Sequence, residues 1–160
     1  LKTLRFDTIM NTSPRGHIIT TAISSLKHIH CDEIWQITRV NSQIKGTLWV
    51  PELAPSQALY GKHQHEWKEK PPETWWPLYE ERFNNELKSS EKLGALRKLW
   101  RLIADGKSVA LACFCPNHNY CHRSLVGIFL ERQGIEVIEF DIRSIKDNGP
   151  PQLALFEWEI

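Results

Sequence analysis

The sequence predicts an α/β protein: an open, mostly parallel sheet of four to five strands flanked by helices, in a single domain. Three observations lead there. "SVALACF" (108–114) is a nearly continuous apolar run of strand length, as expected where both faces of a strand are covered. "RSLVGIFLERQG" (123–134) follows with a helical pattern and ends on Gly134. "IEVIEF" (135–140) returns to strand composition. These segments form one βαβ unit, whose crossover is expected to be right-handed.

The remaining elements are read from periodicity. "KTLRFDTI" (2–9) fits a first strand, and "NTSPRG" is loop chemistry. "HIITTAISSLKHI" (17–29) reads as a helix and "EIWQITRV" (33–40) as the second strand. "TLWVPELAPSQAL" is apolar but broken by Pro51 and Pro55, which suits an irregular or edge piece. Residues 56–72 read as a polar loop whose His63, His65 and lysines suit either a mobile substrate-facing loop or a plain solvated one, the solvated reading being favoured because charge runs usually face water. Pro72 can open a helix. Trp76, Tyr79, Phe83 and Leu87 then make one apolar stripe. Ser89 or Ser90 can cap the next helix, whose buried face is Leu93, Leu96, Trp100 and Ile103, and Gly106 ends it. The α/β domain is expected over 1–145 and a linker with a terminal peptide or edge strand over 146–160.

Bulk properties restrict the function classes. A chain of 160 residues is the size of one domain and can bury roughly 70% of its unfolded surface without a staple. The net charge is +1, with acidic and basic residues interleaved, which argues against a strongly electrostatic nucleic-acid binder while leaving room for a local basic groove. No window has the roughly 18 apolar residues of a membrane span. "LKTLRFDTIM" lacks the apolar core of a secretion signal, so the expected location is the cytoplasm and the cysteines are expected to serve metal or thiol chemistry rather than disulfides.

Three of the four cysteines and two of the seven histidines fall between Cys113 and His122. This loop leaves a strand and enters a helix, where open α/β sheets bind ligands. Cys121, His122 and Arg123 begin the helix. Its N-terminus favours anions and thiolate, and Arg123 adds a fork that matches phosphate or carboxylate. Three readings stand open. One is a zinc site built from Cys113, Cys115, His118 and Cys121, with His122 able to replace Cys113. Another is a metal-free site for phosphate, nucleotide or nucleic acid, with catalytic residues Cys121 as thiolate, His122 as acid/base and Arg123 as anion clamp. The last is a tight turn packed with small thiols. A cysteine phosphatase or rhodanese loop is excluded, because it needs Arg six positions after the nucleophile. Cys121 stands there counted from Cys115, and Asn119 counted from Cys113.

"LACFC…CHRSLV", "ELAPSQAL", "W…YEERFNNEL" and "ALRKLWRLIADGKSVAL" together resemble the bacterial proteins grouped as domain of unknown function 488. The resemblance covers about residues 47–140. It implies a compact α/β domain of unassigned activity with its signature at Cys113, Cys121, His122 and Arg123. Where many relatives carry Thr-Ile-Gly-His-Ser after the first strand, this chain has "DTIMNTSPRGH". Where many carry Asp-Val-Arg on the second strand, it reads Ile37-Thr38-Arg39. Arg39 and Arg15 are therefore secondary anion-binding candidates, with a surface salt bridge as the alternative for each.

At the C-terminus, "QLALF" follows Asn148, Gly149 and two prolines. It resembles the short peptide with which many bacterial DNA-repair and replication proteins dock on the sliding clamp. Leu155 and Phe156 would fill an apolar pocket and Gln152 would bond at its rim. The competing expectation is a final edge strand, since Phe156, Trp158 and Ile160 alternate with Glu157 and Glu159. Two functions follow. One is an enzyme or binding domain for a phosphate-bearing ligand in DNA metabolism. The other is a non-catalytic module holding structural zinc and docking a partner through its tail. The sequence leaves open whether the protein is an enzyme.

Overall fold

The computed structural model describes residues 16–142. The strand expected over 2–9, Arg15, the boundary near 145 and the peptide Gln152, Leu155 and Phe156 lie outside the described residues. Among the described residues, five strands form one all-parallel sheet: β1 (His17–Ala22), β2 (Glu33–Gln36), β3 (Leu48–Trp49), β4 (Ser108–Cys113) and β5 (Val137–Phe140), in the order β3-β2-β4-β1-β5. The helices are α1 (Gln57–Lys62), continued by a π-helical turn (His63–Trp67), α2 (Pro72–Glu86), α3 (Ser90–Ala104) and α4 (His122–Arg132). Among the described residues, no helix is long and apolar enough to cross a membrane.

The expected helix over 17–29 is instead β1 followed by a 3-10 turn (Ile23–His28). Its apolar residues occur at helical intervals, but Ile18, Ile19, Thr20 and Thr21 are all β-branched and stiff at χ1. All four are buried, because β1 lies between β4 and β5 with both faces covered. The expected loop over 56–72 is also corrected. Ser56 caps α1 by accepting from the Leu59 N–H, and Glu86 fixes Ser56 through its N–H at 2.8 Å and its hydroxyl at 2.5 Å.

β4, β5, α2, α3 and α4 fall where the periodicity put them, β2 takes up only the first half of the expected 33–40 strand, and β3 is the short edge strand beside it. Ser89 caps α3 by accepting from the Lys92 N–H. Gly106 and Gly134 follow α3 and α4 at φ 89° and 86°, a conformation that costs glycine little. On α2 the buried stripe is Trp75, Tyr79, Phe83 and Leu87, each four residues apart, and the expected Trp76 flanks it half-buried. On α3, Ala95 and Leu99 join Leu96, Trp100 and Ile103 in the core, while Leu93 packs at its margin.

The strand order also positions the site. Cys113 pairs with Ala22 at the end of β4. Ile37 continues the ladder past β2, its N–H donating to the Ala112 carbonyl at 2.9 Å. The carboxyl ends of β2 and β4 thus lie side by side, and the segments after both strands meet above them.

Candidate functional site

Beyond those ends lies a cavity of about 580 Å³, within the range of small-molecule sites. Thr38 and Arg39 border it from the β2 side, Cys113 to Asn117 from the β4 side, and Tyr120 and His122 from the entry to α4. Tyr60, His63, Gln64 and Lys68 come from α1 and its π turn, and Trp75 and Tyr79 from α2. The loop carrying Arg39 is tied down by the buried Gln36, whose amide donates to the Thr47 hydroxyl at 2.6 Å and whose carbonyl accepts from the Ser42 N–H at 3.2 Å and from its hydroxyl.

The cavity floor is a thiol cluster. The Sγ atoms of Cys113 and Cys121 are 2.7 Å apart, and both cysteines are free. Cys121 is the N-cap of α4, its Sγ accepting the Arg123 N–H at 3.5 Å. The next residue, His122, donates Nε2–H to the Ile37 carbonyl at 2.6 Å and leaves Nδ1 3.8 Å from the Cys121 Sγ. That hydrogen bond selects the tautomer with Nδ1 as a free acceptor. Burial holds the imidazole below its ordinary pKa, against the opposing pull of Cys113 and the Ile37 carbonyl.

Arg123 is only 1% exposed. Its Nε and one terminal nitrogen, Nη2, grip Glu139 in bidentate fashion, at 3.2 and 2.9 Å. Its other terminal nitrogen, Nη1, reaches the Cys113 Sγ at 3.1 Å, the Cys115 carbonyl at 2.6 Å and the Cys121 Sγ at 3.6 Å. The Thr20 hydroxyl completes the Glu139 carboxylate at 2.7 Å. The fork expected to meet a ligand anion therefore faces the protein's own sulfur.

This geometry moves the expected thiolate. Burial opposes ionisation of Cys113, but hydrogen bonds from Cys115 and Cys121, with the neighbouring imidazole of His122 and guanidinium of Arg123, outweigh it, and its pKa falls well below the ordinary thiol value. Cys121, for which the helix N-terminus suggested the low pKa, is pushed well up by burial and by its bonds to Cys113 and Cys115. Cys115, bonded to Cys113, is pushed up to about 12. One negative charge suits the pocket and a second beside it does not, and Cys113 is the sulfur nearest the guanidinium. Tyr79, buried and then further raised by the three thiols, stays a neutral phenol with a proton to donate.

Of the four residues expected to hold zinc, Cys113 and Cys121 come together, and Cys115 reaches both. His118 lies instead on a separate cavity with Trp76, Glu80 and Ser124. His122 takes its place: the Sγ atoms of Cys113 and Cys121 and a ring nitrogen of His122 lie within 4.8 Å of one another, a cluster that could hold a metal ion. Thiolate and imidazole suit zinc and other borderline-soft metals, and a backbone carbonyl on the far ring nitrogen is the usual support of a metal-binding histidine.

Three contributors were missed in the sequence. His63 stands on a π turn inside what read as a solvated loop. Its ring meets Trp75 edge-on at 4.9 Å, and burial, then Lys68 and His122, depress its pKa. Such turns mark functional sites often, but nothing in "HQHEW" announces one. Tyr79 was legible only as core. Glu139 sits sixteen residues beyond its partner Arg123, on β5 rather than on α4.

A parallel α/β sheet with a buried thiol–imidazole–guanidinium cluster under a cavity at its carboxyl edge is thus the class that fold and site define. The chain belongs to the DUF488 family: the model DUF488-N3a, described as "Active DUF488-N3 subclade", matches residues 19–134. No curated protein and no solved structure matches the chain.

Proposed function

We propose that the cavity binds a phosphate-bearing ring compound of nucleotide size and presents it to Cys113 and His122. The observation that carries this is Arg39. Its Nε is buried at the cavity wall without a hydrogen-bond partner, while one of its other nitrogens donates to the Pro55 carbonyl at 3.2 Å. A buried unsatisfied guanidinium donor is costly, and an anionic ligand oxygen would satisfy it. Lys68 on the same cavity adds a second cation, and Tyr60, Trp75, Tyr79, Phe114 and Tyr120 offer flat faces for a ring. At the floor, Cys113 supplies the nucleophile and His122 Nδ1 the proton acceptor. The family model's description as an active subclade supports a catalytic rather than a purely structural reading. The position of His118 weakens the alternative of a closed structural zinc site built from the four expected ligands.

Titration calorimetry with adenosine 5′-monophosphate and with inorganic phosphate tests the reading. The monophosphate should bind the wild type. Arg39→Ala should weaken it by roughly 10- to 100-fold, as befits one or two hydrogen bonds to a charged group. Equal affinity in wild type and variant, or no binding of the monophosphate at all, contradicts it.

A further inference from the structure

The geometry points to Cys113 and Cys121 as a site of reversible oxidation, closed to a disulfide by a hydroperoxide. The inference goes beyond ligand binding and stands whether or not the cavity takes a nucleotide. Both side chains are placed by rigid elements, one at the end of a central strand and the other at the N-cap of α4. Their sulfurs are already 2.7 Å apart, so closing the bond requires little movement of the chain. Cys113 lines the cavity, which gives a molecule as small as hydrogen peroxide a route to a sulfur that is otherwise buried. Arg123, 3.1 Å from the Cys113 Sγ, offers an N–H to an anionic oxygen developing there.

The step balances. The Cys113 sulfur attacks one peroxide oxygen, the O–O bond breaks, and the departing hydroxide leaves as water with one thiol proton. Cys113 is then a sulfenic acid. The Cys121 sulfur attacks the Cys113 sulfur, the S–O bond breaks, and a second water leaves with the Cys121 proton. The two sulfurs together lose two electrons, and the peroxide gains them. Cys115 is the spare thiol. It is partly buried and lies beyond the end of β4 rather than on a rigid element, and once Cys113 and Cys121 are joined it is the thiol left to be alkylated.

Trypsin makes the test direct, because the peptide Ser108–Arg123 contains all three cysteines and no internal Lys or Arg. Full-length protein is treated with hydrogen peroxide, quenched with iodoacetamide without reductant, digested and sequenced by fragmentation. The expected product carries a single alkyl group, on Cys115, and has lost two hydrogens between Cys113 and Cys121. Dithiothreitol before alkylation should restore three alkyl groups. Cys121→Ser retains a good N-cap for α4 and should instead carry Cys113 forward to sulfinic acid. Three alkyl groups after peroxide, or a disulfide that includes Cys115, overturns the inference. So does sulfinic acid on Cys113 in the wild type with Cys121 still alkylated.

Discussion

Glu139→Ala should lower the unfolding free energy by about 3–5 kcal/mol, the cost of leaving a buried charge without its partner. At this chain size that is a fall in melting temperature of roughly 10 °C, read by calorimetry. Both bidentate bonds from Arg123 end on Glu139, and Arg123 is buried while Glu139 is 20% exposed. The variant therefore leaves Nε and Nη2 of a guanidinium that water barely reaches without their acceptors, while Nη1 keeps its contacts to Cys113 and the Cys115 carbonyl. Glu139→Gln keeps an acceptor but loses the charge, and should fall between wild type and Ala. The effect should extend to the site, because the carboxylate also aims the opposite nitrogen of Arg123 at Cys113. A Glu139→Ala protein within about 0.5 kcal/mol of wild type, the range of ordinary surface changes, contradicts this assignment.

Phe83→Ala should cost a similar amount, about 3–5 kcal/mol, by removing buried surface and opening a cavity under α2. Phe83 is fully buried. Its ring stacks on Tyr79 at 6.3 Å, tilts against the His122 imidazole at 5.5 Å and has the Lys92 ammonium 6.0 Å from its centre. It is thus the packing under two side chains of the site. Chemical denaturation should show the loss as a lower midpoint at unchanged slope. A loss below about 1 kcal/mol contradicts the packing described.

Much of this was legible because the relevant information is local. The run 108–113, the capping Ser89 and the stripe through Tyr79, Phe83 and Leu87 are short-range patterns, and the structure follows them. Cys113, His122 and Arg123 could be singled out together because they crowd one strand-to-helix loop. What was not legible depends on distant partners. Residues 17–22 are apolar at helical intervals, and only pairing with β4 and β5 makes them a strand. The segment 57–67 is polar because it is half-exposed above a cavity, which in one dimension looks the same as a loop. The low-pKa thiol was assigned to Cys121 from the helix N-terminus alone. Cys115 and Cys121 both bond to Cys113, and Arg123 bends back toward it under the hold of Glu139; these three-dimensional contacts favour Cys113 as the sulfur that carries the charge.

The most direct test of that last point is alkylation of the reduced protein by iodoacetamide, followed over pH and resolved by residue within the peptide Ser108–Arg123. Thiolate is the reactive form. A Cys113 held below the ordinary thiol range should therefore have a rate already at plateau at a pH where Cys115 and Cys121 are still protonated. Cys121 reaching its plateau at a lower pH than Cys113, or all three titrating together as ordinary thiols, would contradict the account.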